Sequence, residues 1–447
     1  MQHILILGAG KSASILIETL LQEAQEHDWF VHLADVELAT AEKKIAGHAR
    51  GAAYGIDLNN ETQLDQLVSA ADAVISMLPP PLHIKAAMKC LQYKKHFLNA
   101  SYLSPDMQAL NEEVKAAGLS FLVEMGLDPG IDHMSAMEMI HGILNQGGNI
   151  FMFRSHCGGL VSPESDNNPW HYKISWNPRN IILAGKDGAH YLSDGEVSHV
   201  PYSQLFDPQR TVHVPGYGDW AWYPNRDSLP YIKKYELDGV SDFVRTTLRH
   251  PDFANGWKKI VDLDLTNDTD KTDTNGVSLS NYFKPYLKDF SNWDESLKEQ
   301  FRFLDLTSDD LINKSFAAPA DVLQSVLEKK LALSETDKDM IIMLHEVGYR
   351  LETEDDEWRM ADEEVAGGRL QVPGKLCFKK ASLVVKGEDS VHTAMAKTVG
   401  LPLAIAVKNI LNGKITRKGV FIPIYPDVYE IVLRDLEKKG IRFTITE

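Results

Sequence analysis

The sequence predicts an α/β protein in which a doubly wound parallel sheet is followed by an α+β substrate domain and a small helical domain. Three observations carry that expectation. Six short apolar runs alternate with helical spacing over roughly the first 125 residues, which is the signature of a parallel sheet with helices on both faces. A G-x-G-x-x-A turn follows the first run. Beyond residue 150 the pattern changes to short strands separated by Gly, Pro and Asn.

The first run, 3–7, is continuously apolar, as a strand buried on both faces must be. Gly8-Ala9-Gly10-Lys11-Ser12-Ala13 leads from it into helical spacing over 15–24. In such a turn the first glycine makes the bend, the second admits a pyrophosphate to the backbone, and the small third residue lets helix pack on strand. The helix N-terminus then faces the phosphates with free N–H groups. This is a Rossmann-type nucleotide site. Further strands are expected at 30–34, 54–58, 73–78, 96–100 and 120–124. Asp35 ends the second, where a carboxylate accepts hydrogen bonds from the adenosine ribose, and no arginine stands at 35–38, so the residues predict NAD over NADP. Asp57 either reaches the adenine side or caps the next helix.

Ser101, Tyr102 and Asp128 follow the fifth and sixth strands, on the carboxyl edge where open α/β sheets bind ligands. Pro129 keeps Asp128 out of helical geometry and Gly130 permits a sharp turn. Downstream, residues 134–265 read as an α+β region with strands near 151–157, 181–184, 211–214 and 233–237. Residues 263–275 read as a polar linker or exposed loop, 297–333 and 337–344 as helical, 372–385 as strand and 391–411 as a helix. Cys157 closes the first of these strands before Gly158-Gly159. Arg226, Arg245 and Arg249 supply forks for carboxylates.

At 447 residues the chain exceeds one core, so two or three domains are expected. A net charge of −17 argues against nucleic acid or an anionic membrane surface as partner, and requires any anionic substrate to find a local basic pocket. Cys90, Cys157 and Cys377 lie far apart without a C-x-x-C spacing, so neither disulfides nor a metal site are indicated and a reducing, cytoplasmic setting is expected. No signal peptide or membrane span is expected, since the apolar run at 4–7 breaks at Gly8 and no later run approaches about 20 residues.

The motifs G-L-D-P-G-I-D-H (126–133), C-G-G-L (157–160), Y-K-I-S-W (172–176), P-N-R-D-S (224–228) and A-M-A-K (394–397) resemble those of saccharopine dehydrogenase of the L-glutamate-forming type. The resemblance implies oxidation of saccharopine's secondary amine by hydride transfer to a nicotinamide, with imine hydrolysis to L-glutamate and 2-aminoadipate 6-semialdehyde. It implies a homodimer of three-domain subunits. The domains would be 1–133, with the helix near 391–411 packed back on it, then 134–265 with about 345–390, then 277–344. Carried over by position, Ser101, Tyr102, Asp128, Arg226, Thr247 and Arg249 would contact saccharopine, with Tyr102, Asp128 and Cys157 nearest the reacting centre. Gly8, Gly10, Lys11, Ser12, Ala13, Asp35, Asp57, Leu78, Ala100, Leu127 and Ser175 would hold the dinucleotide. Asp35-Val36-Glu37 is similar to the NAD-using, degradative members, so NAD and lysine breakdown are the expectation. The R-T-T-L-R at 245–249 replaces the family's R-G-T-L-R. The rival readings are a carboxynorspermidine-type dehydrogenase and a non-catalytic NAD-binding regulator.

Overall fold

The computed structural model describes residues 1–351 and 374–446. The chain divides into two compact units, Met1–Gly142 with Val391–Phe443, and Ile143–Ser390 with Thr444–Glu447.

The first unit is built on a seven-stranded parallel sheet. Its strands are β1 (Gln2–Leu7), β2 (Trp29–Asp35), β3 (Gly51–Gly55), β4 (Ala73–Ser76), β5 (His96–Asn99) and β6 (Ser120–Leu122), joined at one edge by the strand Gly419–Phe421. From that edge the order is Gly419–Phe421, β6, β5, β4, β1, β2, β3, which is the doubly wound order with one strand added. Ile4, Leu5, Ile6 and Leu7 are wholly buried, as central position demands. The third strand lies earlier than the apolar run at 54–58 suggests. As the edge strand it is paired on one side only, so the small residues Gly51, Ala52 and Ala53 suffice, and Ile56 is buried just after its end.

Helix α1 (Ser14–Glu23) covers the sheet beside β1. The helix Ala394–Leu411 packs against it, and Lys408 ties the two ends together through Glu23 at 3.1 Å. By length and composition that helix alone among the described residues is apolar enough to cross a membrane, but 78% of it is buried inside the fold, so its apolar surface is already used by the core.

The second unit is organised by a mixed sheet. Strand β7 (Gly148–Val161) lies at its centre, parallel to Asp242–Arg249 on one side and antiparallel to Asp339–Leu351 on the other. Gly218–Pro224 and Thr211–Val214 extend one flank, and Lys375–Lys386 and Thr444–Thr446 the other. The helices Pro251–Asp262, Glu295–Leu304 and Pro319–Lys330 share an apolar core with Trp170, Tyr172, Phe253 and Trp257.

Three local expectations fail here. Residues 339–344 form a central strand and not a helix. Met340 to Leu344 are all wholly buried, and a uniformly apolar run carries no periodicity to tell the two apart. Ile181 and Ile182 end the short helix Pro178–Ile182, started by Pro178 with Asn177 as its cap, while Lys233 and Lys234 end the helix Leu229–Lys234. In both cases proline in the first turn was the better signal. The strand expected over 372–385 is seen as Lys375–Lys386, and Val372 lies outside the described residues.

Candidate active site

The glycine turn of the first unit has the form a phosphate needs. Gly8 has φ +103°, and a Cβ there would stand 2.8 Å from the carbonyl oxygen of Met77, so only glycine fits. Gly10 is exposed, with nothing within 4 Å of where its Cβ would be, and it caps the 3-10 turn Lys11–Ala13 that runs into α1. Open backbone at a helix N-terminus suits a pyrophosphate. Lys11 is exposed, Ser12 half-buried and Ala13 buried against the sheet. Leu78 and Ala100 follow the carboxyl ends of β4 and β5. Asp57 is exposed and accepts the amide of Asn59, so in the structure it braces the turn before the next helix.

Asp35 does a different job from the one its position suggests. One carboxylate oxygen accepts the amide of Ala9 at 2.6 Å and the other the amide of Glu37 at 3.0 Å. The carboxylate is therefore a brace inside the glycine turn. Close by, Lys44 donates to the carbonyl of Gly10 at 2.7 Å and to Ser14 Oγ at 2.9 Å. Burial pushes its ammonium down to about 8, against the pull of Glu18 and Asp35.

At the carboxyl ends of β5 and β6, Tyr102 donates its hydroxyl to Asp128 Oδ1 at 2.9 Å, both side chains being half-buried. The turn carrying Asp128 folds back on itself, with a cis bond between Asp128 and Pro129. Gly126 N–H bonds to the Pro129 carbonyl, and Gly130, at φ +147°, sits where a Cβ would fall 2.1 Å from the Gly126 carbonyl oxygen.

Two supporting networks carry no chemical role in the sequence reading. His83 bridges Ser76 Oγ and Ser101 Oγ at 2.8 Å each, and burial pushes its imidazole down to about 4, so it is neutral near pH 7. Buried Glu124 receives the Leu103 amide at 2.9 Å on one oxygen, and its other oxygen lies 2.7 Å from His133 Nε2. It thus ties the loop after Tyr102 to the helix Ile131–Leu144, while Asp132 accepts the Gly130 amide. His83 follows three prolines at 79–81 and Glu124 lies two residues past a strand, and neither setting marks them in one dimension.

In the second unit the site residues lie on one sheet face. Cys157 is the register partner of Thr247, and Thr247 of Tyr223, so their side chains project together. Arg249, two positions on from Thr247, shares that face and is 4% exposed. Its guanidinium is boxed by Tyr172 at 5.3 Å, Phe253 at 5.6 Å and Tyr223 at 6.0 Å. Its Nη1 donates to the Leu248 carbonyl, and its Nε has no hydrogen-bond partner among the described residues. A buried guanidinium with a spare donor is an anion site in waiting. Arg245 is fully inside, with its guanidinium over Tyr231 at 4.3 Å, and the amide of Asn225 bonds to its carbonyl. Arg226 is exposed in left-handed backbone, φ +58°. Ser175 and Cys157 are buried, and Leu127 is buried in the first unit.

A glycine turn opening a helix at the first parallel strand, with a Tyr–Asp pair at the carboxyl edge, defines a dinucleotide-binding oxidoreductase. Residues 4–122 match the saccharopine dehydrogenase NADP binding domain and residues 126–441 the saccharopine dehydrogenase C-terminal domain. The chain belongs to the saccharopine dehydrogenase family. It is 30% identical to saccharopine dehydrogenase [NADP(+), L-glutamate-forming] of Saccharomyces cerevisiae, over 98% of this chain and 97% of that one. It is 32% identical to alpha-aminoadipic semialdehyde synthase of Arabidopsis thaliana, over 94% of this chain and 41% of that longer protein. The solved apo structure of the yeast L-Glu-forming enzyme superposes with a TM-score of 0.85 at 28% identity, covering 100% of this chain and 99% of that one.

These findings correct the expectation of NAD. The matched nucleotide domain is an NADP binding domain, and the relatives from Pyricularia oryzae, S. cerevisiae and Schizosaccharomyces pombe are named as NADP(+) enzymes. Asp35 accepts the amides of Ala9 and Glu37, and Lys44, nine positions beyond it, comes back beside the turn as a cation that its sequence position did not reveal.

Proposed function

We propose that the protein oxidises the secondary amine of saccharopine with NADP, and that water then hydrolyses the imine to L-glutamate and 2-aminoadipate 6-semialdehyde, in lysine metabolism. The observation that carries this reading is the Tyr102–Asp128 pair, set at the carboxyl edge of a nucleotide-binding sheet in a chain of this family. The turn Gly8–Ala13 fits the pyrophosphate, and Lys44 is the cation beside Asp35 suited to a 2′-phosphate. When bound, the nicotinamide supplies the hydride acceptor.

The protein's own part is charge and proton management. Loss of hydride leaves positive charge on the substrate nitrogen, and the Asp128 carboxylate is placed to stabilise it. Because the Tyr102 hydroxyl donates to Asp128, its oxygen keeps lone pairs for the amine or the attacking water. Ser101, held by neutral His83, orients a further polar group of the substrate. Saccharopine carries three carboxylates, and Arg249 with its spare Nε and Arg226 with its exposed guanidinium answer two of them. Cys157 and Thr247 border the same face.

The test is absorbance of reduced nicotinamide with purified protein, saccharopine and NADP. A saccharopine-dependent rise is expected. No rise with saccharopine, but a rise with a carboxylated polyamine, would replace this substrate.

A further inference from the structure

Beside the aromatic box of Arg249 stands a cluster of different chemistry. His171 immediately precedes Tyr172, and His250 immediately follows Arg249. Their imidazole rings stack, with centroids 3.9 Å apart and planes 29° from parallel. Asp252 Oδ2 lies 3.4 Å from His171 Nε2 and 3.4 Å from His250 Nδ1. Taking one ligand atom from each residue, the three lie within 4.8 Å of one another. We propose that His171, His250 and Asp252 bind a divalent transition-metal ion, zinc or a neighbour of similar ligand preference, which fastens the segment carrying Tyr172 to the start of the helix Pro251–Asp262.

The donor set suits such an ion once the His250 ring gives up a capping bond: its Nδ1 accepts the Asp252 amide at 3.3 Å at the start of the helix Pro251–Asp262, and the ion would replace that bond. Two imidazoles and one carboxylate are borderline ligands suited to zinc, nickel or cobalt, and three protein ligands leave a position for water or an outside ligand. The orientation of one ligand is also prepared. His171 Nδ1 is 2.6 Å from Asp166 Oδ2, and a carboxylate on one imidazole nitrogen fixes the tautomer that presents the other, here the Nε2 facing Asp252.

The backbone points the same way. His171 has φ +46°, a left-handed conformation in which a residue with a Cβ is strained by about 1 kcal/mol. That backbone places the imidazole over that of His250. There is room as well. A cavity of about 530 Å³ opens beside His171 and Asp252, lined also by Asp166, Ser296 and Glu299. An ion held there would join residue 171 to residues 250 and 252, and so brace Tyr172 against Arg249 from outside the box.

The experiment uses the full-length protein, stripped with a chelator and titrated with Zn²⁺ by calorimetry and with Co²⁺ by its visible absorption. One ion per chain is expected. His171→Gly, which suits the left-handed backbone, and Asp252→Asn should each weaken binding at least about tenfold while leaving the melting curve of the metal-free protein unchanged. His213→Ala, in the exposed His213–Asp219 pair, should bind as the parent does. The proposal is overturned by the absence of stoichiometric uptake. Parental affinity in both His171→Gly and Asp252→Asn, or an equal loss in His213→Ala, would overturn it too.

Discussion

The two units hold their functional side chains by opposite means. In the parallel sheet, the glycine turn, Ser101–Tyr102 and Asp128 each follow the carboxyl end of a strand, so chain order alone brings them to one edge. In the mixed sheet, Cys157, Tyr223, Thr247 and Arg249 share a face only because Gly148–Val161, Gly218–Pro224 and Asp242–Arg249 pair in one register. A one-residue slip of any one of these strands would turn its side chains to the face opposite the others. The first arrangement is legible from the order of elements, while the second depends on long-range pairing.

The contrast also divides chemistry from binding, and kinetics can break that division. Asp128→Asn should lower kcat/KM for saccharopine by roughly 10²–10⁴-fold, mostly through kcat, because it removes charge beside the reacting nitrogen. Parental turnover in this variant would end the assignment.

Acidification should separate the units next. The His83 imidazole is pushed down by burial to about 4, against an unfolded value near 6.5. Its neutral burial therefore supports the fold fully above pH 6.5, and that support fades as pH falls toward 4, by roughly 3 kcal/mol in all. In the second unit, burial alone would raise Glu346, but the approach of His156 at 3.4 Å and of Lys380 at 2.7 Å outweighs it and brings the carboxyl down to about 2. That support is present above pH 4.5 and is lost between 4.5 and 2. Hydrogen exchange should thus show β4 and β5 loosening at higher pH than Asp339–Leu351, and His83→Gln should flatten the stability slope between pH 6.5 and 4. The reverse order of loosening would contradict the contrast.

A smaller effect is expected from Arg249→Leu, which keeps the aromatic box filled but removes the anion site. KM for saccharopine should rise about 10- to 100-fold with kcat changed little, as for a group that binds but does not react. A fall in kcat with unchanged KM would move Arg249 into the chemistry. Smallest of all, Lys44→Ala should weaken NADPH about fivefold, measured by quenching of protein fluorescence, and NADH hardly at all. Equal weakening of both would make Lys44 a brace of the turn alone.

Much of the first unit was readable because its signals are local. The run at 3–7, the turn Gly8–Ala13 and the strand ends at Tyr102 and Asp128 each state their role within a few positions. Where those signals misled, the cause was a partner distant in sequence. Asp35 stood where a ribose reader stands, yet Lys44 brings a cation beside the same turn. Residues 339–344 had no periodicity because both faces of that strand are covered.

By itself, then, the sequence determined a nucleotide-binding parallel sheet, a family, and the position of the Tyr102–Asp128 pair, since glycine turns, prolines and apolar runs act on the chain within a turn or two. Only the tertiary structure decided that His83 and Glu124 brace that pair, that Arg249 sits buried among aromatic rings, and that His171 meets His250. Those outcomes depend on desolvation and strand register, which are properties of the packed fold and not of neighbours along the chain.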